Sequence, residues 1–150
     1  LNQPSAWTTR MMPHYLGMHR GFCQVSAGFG SGLGHVAALL RFKPEPSSET
    51  GLRRWLVEAA LPRLASQPGT GSVHLLEGAV TPPMTQEQRI RGADSGIDWA
   101  VFMTGYRQDA LAEPIRGALG TAALEQHGAR DASAALYRFD YAVSGGEVVT

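Results

Sequence analysis

Five stretches of the chain have the short apolar or alternating pattern that is typical of β-strands. They span residues 21–27, 35–42, 73–80, 98–106 and 135–143. The first leads into Gly28-Phe29-Gly30-Ser31-Gly32-Leu33-Gly34, a glycine run that suits a connection with positive φ angles or a close backbone approach. The sequence therefore predicts five strands, with a structural turn after the first.

Two longer stretches repeat their apolar residues at helical spacing. The first begins at Ser47-Ser48-Glu49, where a serine can cap the free amides, and has an apolar stripe of Leu52, Trp55, Leu56, Ala59, Ala60 and Leu64. Pro62 lies inside it and is expected to kink or end the helix, because an unbent helix there would lose about 3 kcal/mol. The second helix is predicted over 109–126, with one face formed by Leu111, Ile115, Ala118, Leu119, Ala122 and Ala123.

From residue 35 the order is strand, helix, strand, strand, helix, strand. This order predicts an α+β, ferredoxin-like βαββαβ sandwich over residues 31–150, with two helices on one face of an antiparallel sheet and an extra N-terminal strand. Thr8 to His14 has the same spacing as Thr121 to His127, and a strand follows each. Since the chain also lacks an initial Met, we expect residues 1–30 to be the tail of a preceding repeat.

Composition and charge indicate which partners and which location to expect. The 150 residues (16.1 kDa) are 43% hydrophobic, and 13 basic residues balance 13 acidic ones. A neutral chain lacks the charge that nucleic acids or anionic membranes attract, so neither is an expected partner. No stretch approaches the roughly 18 apolar residues of a membrane helix, and no leader with a basic and then an apolar region is visible, so a cytoplasmic location is expected.

Familiar cofactor and nucleophile motifs do not occur in the sequence. No G-x-G-x-x-G can be drawn through the glycine run, no Gly-Lys-Ser/Thr exists, and Ser31 does not lie in G-x-S-x-G. The single Cys23 excludes an internal disulfide and is read as an inert buried thiol. His14 and His19 are five residues apart, which suits no metal pair on one element. We therefore expect no cofactor and no metal.

Strand alternation gives the most useful functional signal. If the more apolar strand faces pack on the helices, the other faces share one surface, which collects His35, Arg41, Arg138, Asp140 and His74. Two interpretations stay open. Arg138 and Asp140 can satisfy each other, or His35 serves as a general acid or base while an arginine holds an anionic or enolate-like oxygen. The candidate catalytic residues are thus His35, Arg138 and Asp140, with Arg41 and His74 in the substrate pocket.

The polar loop 81–97 is long enough to have a function of its own. It contains Pro82-Pro83 and is expected to form a short helical turn from Thr85 to Arg91. A lid and a dimer arm are both open as its role.

Three segments resemble a known family. Leu56-Val57-Glu58-Ala59-Ala60-Leu61-Pro62-Arg63-Leu64 with Pro68-Gly69 resembles the helix of dimeric α/β-barrel proteins near the ethyl tert-butyl ether degradation accessory proteins, which often read Glu-Glu-His-Leu-Pro and then Pro-Gly. Residues 89–94 with 98–101, and residues 4–15, resemble uncharacterised bacterial duplicated members. Ala60 stands where the family's helix carries histidine, so no catalytic role transfers to that position.

This resemblance implies that two sheets face each other and close a barrel, through a homodimer or through a preceding repeat. It implies a cofactor-independent small-molecule enzyme, such as an oxygenase, isomerase or cyclase acting on an aromatic or polyketide-like substrate. The alternative is a metabolite-binding or accessory module that is not an enzyme, which Ala60 favours. Haem binding, known elsewhere in the superfamily, would need His35 or His74 as the axial ligand.

Overall fold

The computed structural model describes residues 3–17, 19–79, 83–92 and 96–140. Its strands are β1 (Cys23–Gly30), β2 (Val36–Pro44), β3 (Thr70–Gly78), β4 (Trp99–Gly105) and β5 (Ala129–Arg138). Its α-helices are α1 (Ala6–Met11), α2 (Glu49–Trp55), α3 (Leu61–Ala65), α4 (Gln86–Arg91), α5 (Gln108–Arg116) and α6 (Thr121–Gln126). A 3₁₀ turn (Met12–His14) follows α1, and a π-helical turn (Leu56–Ala60) joins α2 to α3.

All five strands belong to one antiparallel sheet in the order β1-β3-β4-β2-β5. Helices follow β2 and β4, so the part from β2 onward has the βαββαβ order that the sequence predicts. The α+β class is confirmed, and the arrangement is compatible with a ferredoxin-like fold. β1 extends the same sheet beside β3, while the origin of residues 1–30 in a preceding repeat stays a prediction.

The core lies between the helices and one face of the sheet, which we call the covered face. Strand pairing puts Val36, Ala38, Leu40 and Phe42 of β2 on this face, opposite Gly105, Met103, Val101 and Trp99 of β4. The helices and the turn between α5 and α6 contribute leucines that are at most 1% exposed: Leu52, Leu56, Leu61, Leu64, Leu111, Leu119 and Leu124. The alternation in 35–42 therefore predicted the buried side of β2 correctly.

The first helix continues past Pro62. It widens into the π-helical turn just before the proline, where the Leu61 N–H donates to the Leu56 carbonyl, five residues back. A proline ring clashes with the carbonyl four residues before it and has no N–H to donate, and a wider turn accommodates both defects. Helical structure consequently continues to Ala65, and the expected disturbance appears one turn early.

The second helix is broken, contrary to the prediction of one helix over 109–126. α5 stops before Gly117, whose N–H donates to the Glu113 carbonyl at 2.9 Å, and α6 begins after Gly120. A Cβ on Gly120 would lie 2.9 Å from the Arg116 carbonyl oxygen, so this tight turn requires glycine. The break buries Leu119 and Leu124 and leaves the Ala118 and Ala122 positions exposed.

Three other predictions are confirmed in whole or in part. The turn from Thr85 to Arg91 is confirmed as α4, which Thr85 and Gln88 begin with a reciprocal capping box. β5 starts at Ala129, six residues earlier than predicted, and residues 141–143 of the predicted strand lie outside the described residues. β1 runs to Gly30, two glycines into the predicted turn.

The glycine run is confirmed as a structural connection. Gly34 has φ +67°, and a Cβ there would lie 2.0 Å from the Gly105 carbonyl oxygen. The buried Thr104 hydroxyl donates to the Gly32 carbonyl oxygen at 2.8 Å and lies 2.8 Å from the Ser72 hydroxyl. Hydrogen bonds and close packing thus fix the connection to one end of the sheet.

Candidate functional site

The sheet face opposite the helices, which we call the open face, carries the candidate site. Strand pairing places Ala37, Leu39 and Arg41 of β2 on it, together with Thr104, Phe102 and Ala100 of β4, His74 and Leu76 of β3, and Ser133, Ala135 and Tyr137 of β5. Phe102 is half-buried and meets Phe139 edge-on, with ring centroids 6.4 Å apart. The face is mostly apolar, with polar side chains at its ends.

His35 and Arg138 line one cleft of about 250 Å³ where β2 starts and β5 ends. The other lining residues are Val36, Leu136 and Tyr137, with Gln108 from the start of α5. His35 is exposed at the start of β2, and its carbonyl accepts from the Phe139 N–H at 2.9 Å. Two of the three candidate catalytic residues therefore share a cleft.

The sequence predicted that the candidate residues share one face of the sheet, but the structure places them on both faces. Arg138 pairs with Val36, so it lies on the covered-face side of β5, whereas Tyr137 pairs with Ala37 on the open face. The prediction assigned the aromatic set of this strand to the helices because it was the more apolar set. The expectation was wrong because β5 is an edge strand whose residues 133–138 are all exposed, so apolar character did not mark its inner side.

Asp140 lies beyond the end of β5 and does not line the His35 cleft. Among the ion pairs of the described residues there is none between Arg138 and Asp140, so the two do not satisfy each other as one interpretation expected.

Arg41 lies at the opposite end of β2. It is five residues from Val36, which corresponds to about 17 Å at about 3.3 Å per residue. There it lines a cleft of about 630 Å³, near the start of β4 and β5, together with His19, Ile97, Asp98 and Ser133. The structure thus separates Arg41 from His35 and Arg138.

His74 lies between these ends, on the middle of β3. It pairs with Phe102 on one side and Gly28 on the other. A Cβ on Gly28 would lie 2.9 Å from His74 Nδ1, so the missing side chain there leaves room for the imidazole ring. His74 is half-buried and lines neither cleft, which places it on the open face as predicted but away from the other candidates.

Sequence reasoning missed a charged cluster that joins α2 to the covered face. Arg53 donates from Nε and Nη2 to the two carboxylate oxygens of Glu77, at 2.7 and 2.8 Å, and from Nη2 to Glu49 at 2.9 Å. Its guanidinium lies 4.8 Å from the Trp99 ring centroid. The hydrogen bonds from Arg53 hold the pKa of Glu77 below its ordinary value, although partial burial opposes them.

One signal could have found this cluster. Glu77 continues the alternation of Val73 and Leu75, so it is an acid on a strand face predicted to be buried, and such an acid needs a cationic partner. The pair anchors the fold at the end of the sheet where Arg41 lies.

The remaining chemistry-bearing residues give no further site. Cys23 is half-buried, and burial raises the pKa of its thiol, in agreement with an inert cysteine. Within the described ranges, no three His, Cys, Asp or Glu side chains come together in a way that could hold a metal ion. None of the helices in those ranges is long and apolar enough to cross a membrane.

Comparison with known proteins adds no relative. No family model matches the chain, and no curated protein or solved structure matches it. The likeness to dimeric α/β-barrel proteins consequently rests on the segments quoted above.

Proposed function

We propose that this chain is a cofactor-independent small-molecule enzyme of the dimeric α/β-barrel kind, with His35 as general acid or base and Arg138 as the group that holds a developing oxyanion. The observation that supports this function is that both residues line one cleft at the end of the sheet. A base and a fixed cation at one site suit removal of a proton from carbon next to a carbonyl group.

The proposed reaction is an isomerisation or cyclisation that proceeds through an enolate. His35 takes the proton from the carbon, the electron pair of that C–H bond forms a C=C bond, and the π electrons of the carbonyl group move to its oxygen, which gains a negative charge next to Arg138. In an isomerisation His35 then returns the proton to a different carbon. In a cyclisation the enolate carbon bonds to a second carbonyl carbon of the substrate, and His35 gives the proton to the oxygen of that carbonyl. Because Asp140 does not line the cleft, it is not given a role in this step.

The cleft is too small to work alone. Its volume of about 250 Å³ lies below the roughly 300–1,000 Å³ of most ligand pockets. The apolar open face lies next to it through Tyr137, and such surfaces are usually covered by a partner. A second sheet, from another copy of the chain or from a preceding repeat, would enlarge the cleft into a closed pocket for an aromatic or polyketide-like substrate.

The test begins with thermal unfolding in the presence of phenolic acids and polyketide-like aromatic ketones. A ligand at 100 times its Kd stabilises the fold by about 2.7 kcal/mol, or roughly 5–10 °C in Tm for a chain of this size. We expect His35→Ala and Arg138→Gln to abolish the turnover of any compound that binds. The matched controls are His14→Ala and Arg63→Gln, which change exposed residues outside the cleft. Turnover retained in both cleft variants would contradict the proposal.

The alternative is a metabolite-binding or accessory module without catalysis. Ala60 favours it, because the resembling family has histidine there and this chain has a small residue at 9% exposure within the π-helical turn. The same experiment separates the two functions. A compound that raises Tm in the wild type but is recovered unchanged would support the binding module.

A further inference from the structure

The cleft at the other end of β2 carries a second, independent site. Its volume of about 630 Å³ falls within the range of small-molecule pockets. Its lining combines the apolar Ile97 with charged residues from β2, β5 and the segment before β4. None of these residues belongs to the His35 cleft, so the site goes beyond the function proposed above.

Arg41 is the cation of this cleft that lacks an ionic partner. It is half-buried, and no carboxylate of the described residues forms an ion pair with it. Its cross-strand neighbours on the open face are Ala100 and Ser133, which are small and uncharged. Lys43, in contrast, already pairs with Asp131 at 3.2 Å. The guanidinium of Arg41 is therefore free to bind an anion.

Asp98 is the matching anion. It is exposed, it lines the same cleft, and its side chain forms no ion pair or hydrogen bond with any other part of the chain that the structure describes. Its backbone is fixed, since the carbonyl of Asp98 accepts from the Gly78 N–H at 2.5 Å. Arg41 and Asp98 thus line one cleft without reaching each other.

We propose that this cleft binds a free α-amino acid with a large apolar side chain, with the carboxylate on Arg41 and the ammonium group on Asp98. A ligand with both charges satisfies both residues at once, whereas an anion or a cation alone leaves one of them unpaired. Ser133 and His19 also line the cleft, and both carry groups that can donate hydrogen bonds. The apolar side chain has the half-buried Ile97 to pack against.

The test is isothermal titration of the whole chain with three probes: L-phenylalanine, 3-phenylpropionate and 2-phenylethylamine. The second probe lacks the ammonium group and the third lacks the carboxylate. We expect L-phenylalanine to bind at least about tenfold more tightly than either. Arg41→Gln and Asp98→Asn should each weaken its binding by about tenfold or more. Arg63→Gln and Asp109→Asn change exposed residues outside the cleft and should leave it unchanged.

Three results would overturn this site. The first is no binding of L-phenylalanine up to about 10 mM. The second is equal binding of 3-phenylpropionate together with an ineffective Asp98→Asn, which would make this a site for carboxylates alone. The third is loss of L-phenylalanine binding in His35→Ala, which would move the ligand to the other cleft. Since the proposed enzyme is tested by turnover in the His35 and Arg138 variants, either proposal can fail without the other.

Discussion

The two faces of the sheet bury similar side chains to different extents. On β3, Leu75 is completely buried beneath the helices, whereas the adjacent Leu76 points to the open face and is only half-buried. The covered face holds leucines, Val101, Met103 and one charged cluster that is fully paired. The open face holds aromatic and aliphatic residues with His74 and Arg41 among them. One face therefore forms the core of the fold, while large side chains on the other stay partly exposed.

The largest expected effect is a difference in the free energy of unfolding between alanine variants of two adjacent leucines, Leu75 and Leu76. Leu75→Ala leaves a cavity in the core and should lower the free energy of unfolding by about 2–5 kcal/mol. Leu76→Ala removes a half-exposed side chain and should cost about 1 kcal/mol. Urea unfolding followed by circular dichroism measures both.

Measuring the stability of these variants at several protein concentrations tests whether a second copy of the chain covers the open face. If a second copy covers the open face, the cost of Leu76→Ala depends on concentration, because association contributes to the stability that is measured. Equal and concentration-independent losses for Leu75→Ala and Leu76→Ala would mean that the two faces do not differ in the way described.

The next effect concerns the charged cluster on the covered face. Glu77→Gln removes the bidentate acceptor of Arg53 and leaves the guanidinium against Trp99 with Glu49 as its remaining anion. The Glu77 side chain is 18% exposed, so we expect a loss of about 1–3 kcal/mol in urea unfolding. The control is Asp109→Asn, which breaks a fully exposed pair with Arg107 and should leave the unfolding midpoint unchanged.

A double-mutant cycle assigns that loss to the pair. Arg53→Met combined with Glu77→Gln should cost less than the sum of the two single changes, because each single change already removes their shared hydrogen bonds. Additive losses would show that the two side chains act separately.

Much of the fold follows from local pattern. Alternation in 35–42 identified the buried side of β2, and helical spacing placed Leu52, Leu56 and Leu64 in the core. The prediction failed where a local defect changed the backbone. Glycines at 117 and 120 allow a turn that divides the second helix. After this break the predicted apolar stripe no longer faces the core, since Ala122 is exposed and Leu124, which the stripe did not include, is buried.

The candidate site was less predictable, because it depends on register between strands that are far apart in sequence. The pairing of Tyr137 with Ala37 decides that Arg138 faces away from Arg41, and alternation within β5 alone leaves this choice open. Arg41 and Asp98 line one cleft because the end of β2 pairs with the start of β4. Glu77 was recognisable as an acid on a buried strand face, but its partner on α2 was not.

The smallest expected effect is the pH dependence of the covered-face pair. The pKa of Glu77 in the folded chain lies below its ordinary value of 4.5, so the unfolded chain binds the proton first as the pH falls. The stability from this group is therefore present above about pH 4.5 and is lost as the pH falls through the folded pKa. Urea midpoints measured from about pH 6 down to about pH 3 should fall less steeply in Glu77→Gln than in the wild type. Identical slopes would mean that Arg53 does not stabilise the Glu77 carboxylate, and the covered face would then owe its stability to apolar packing alone.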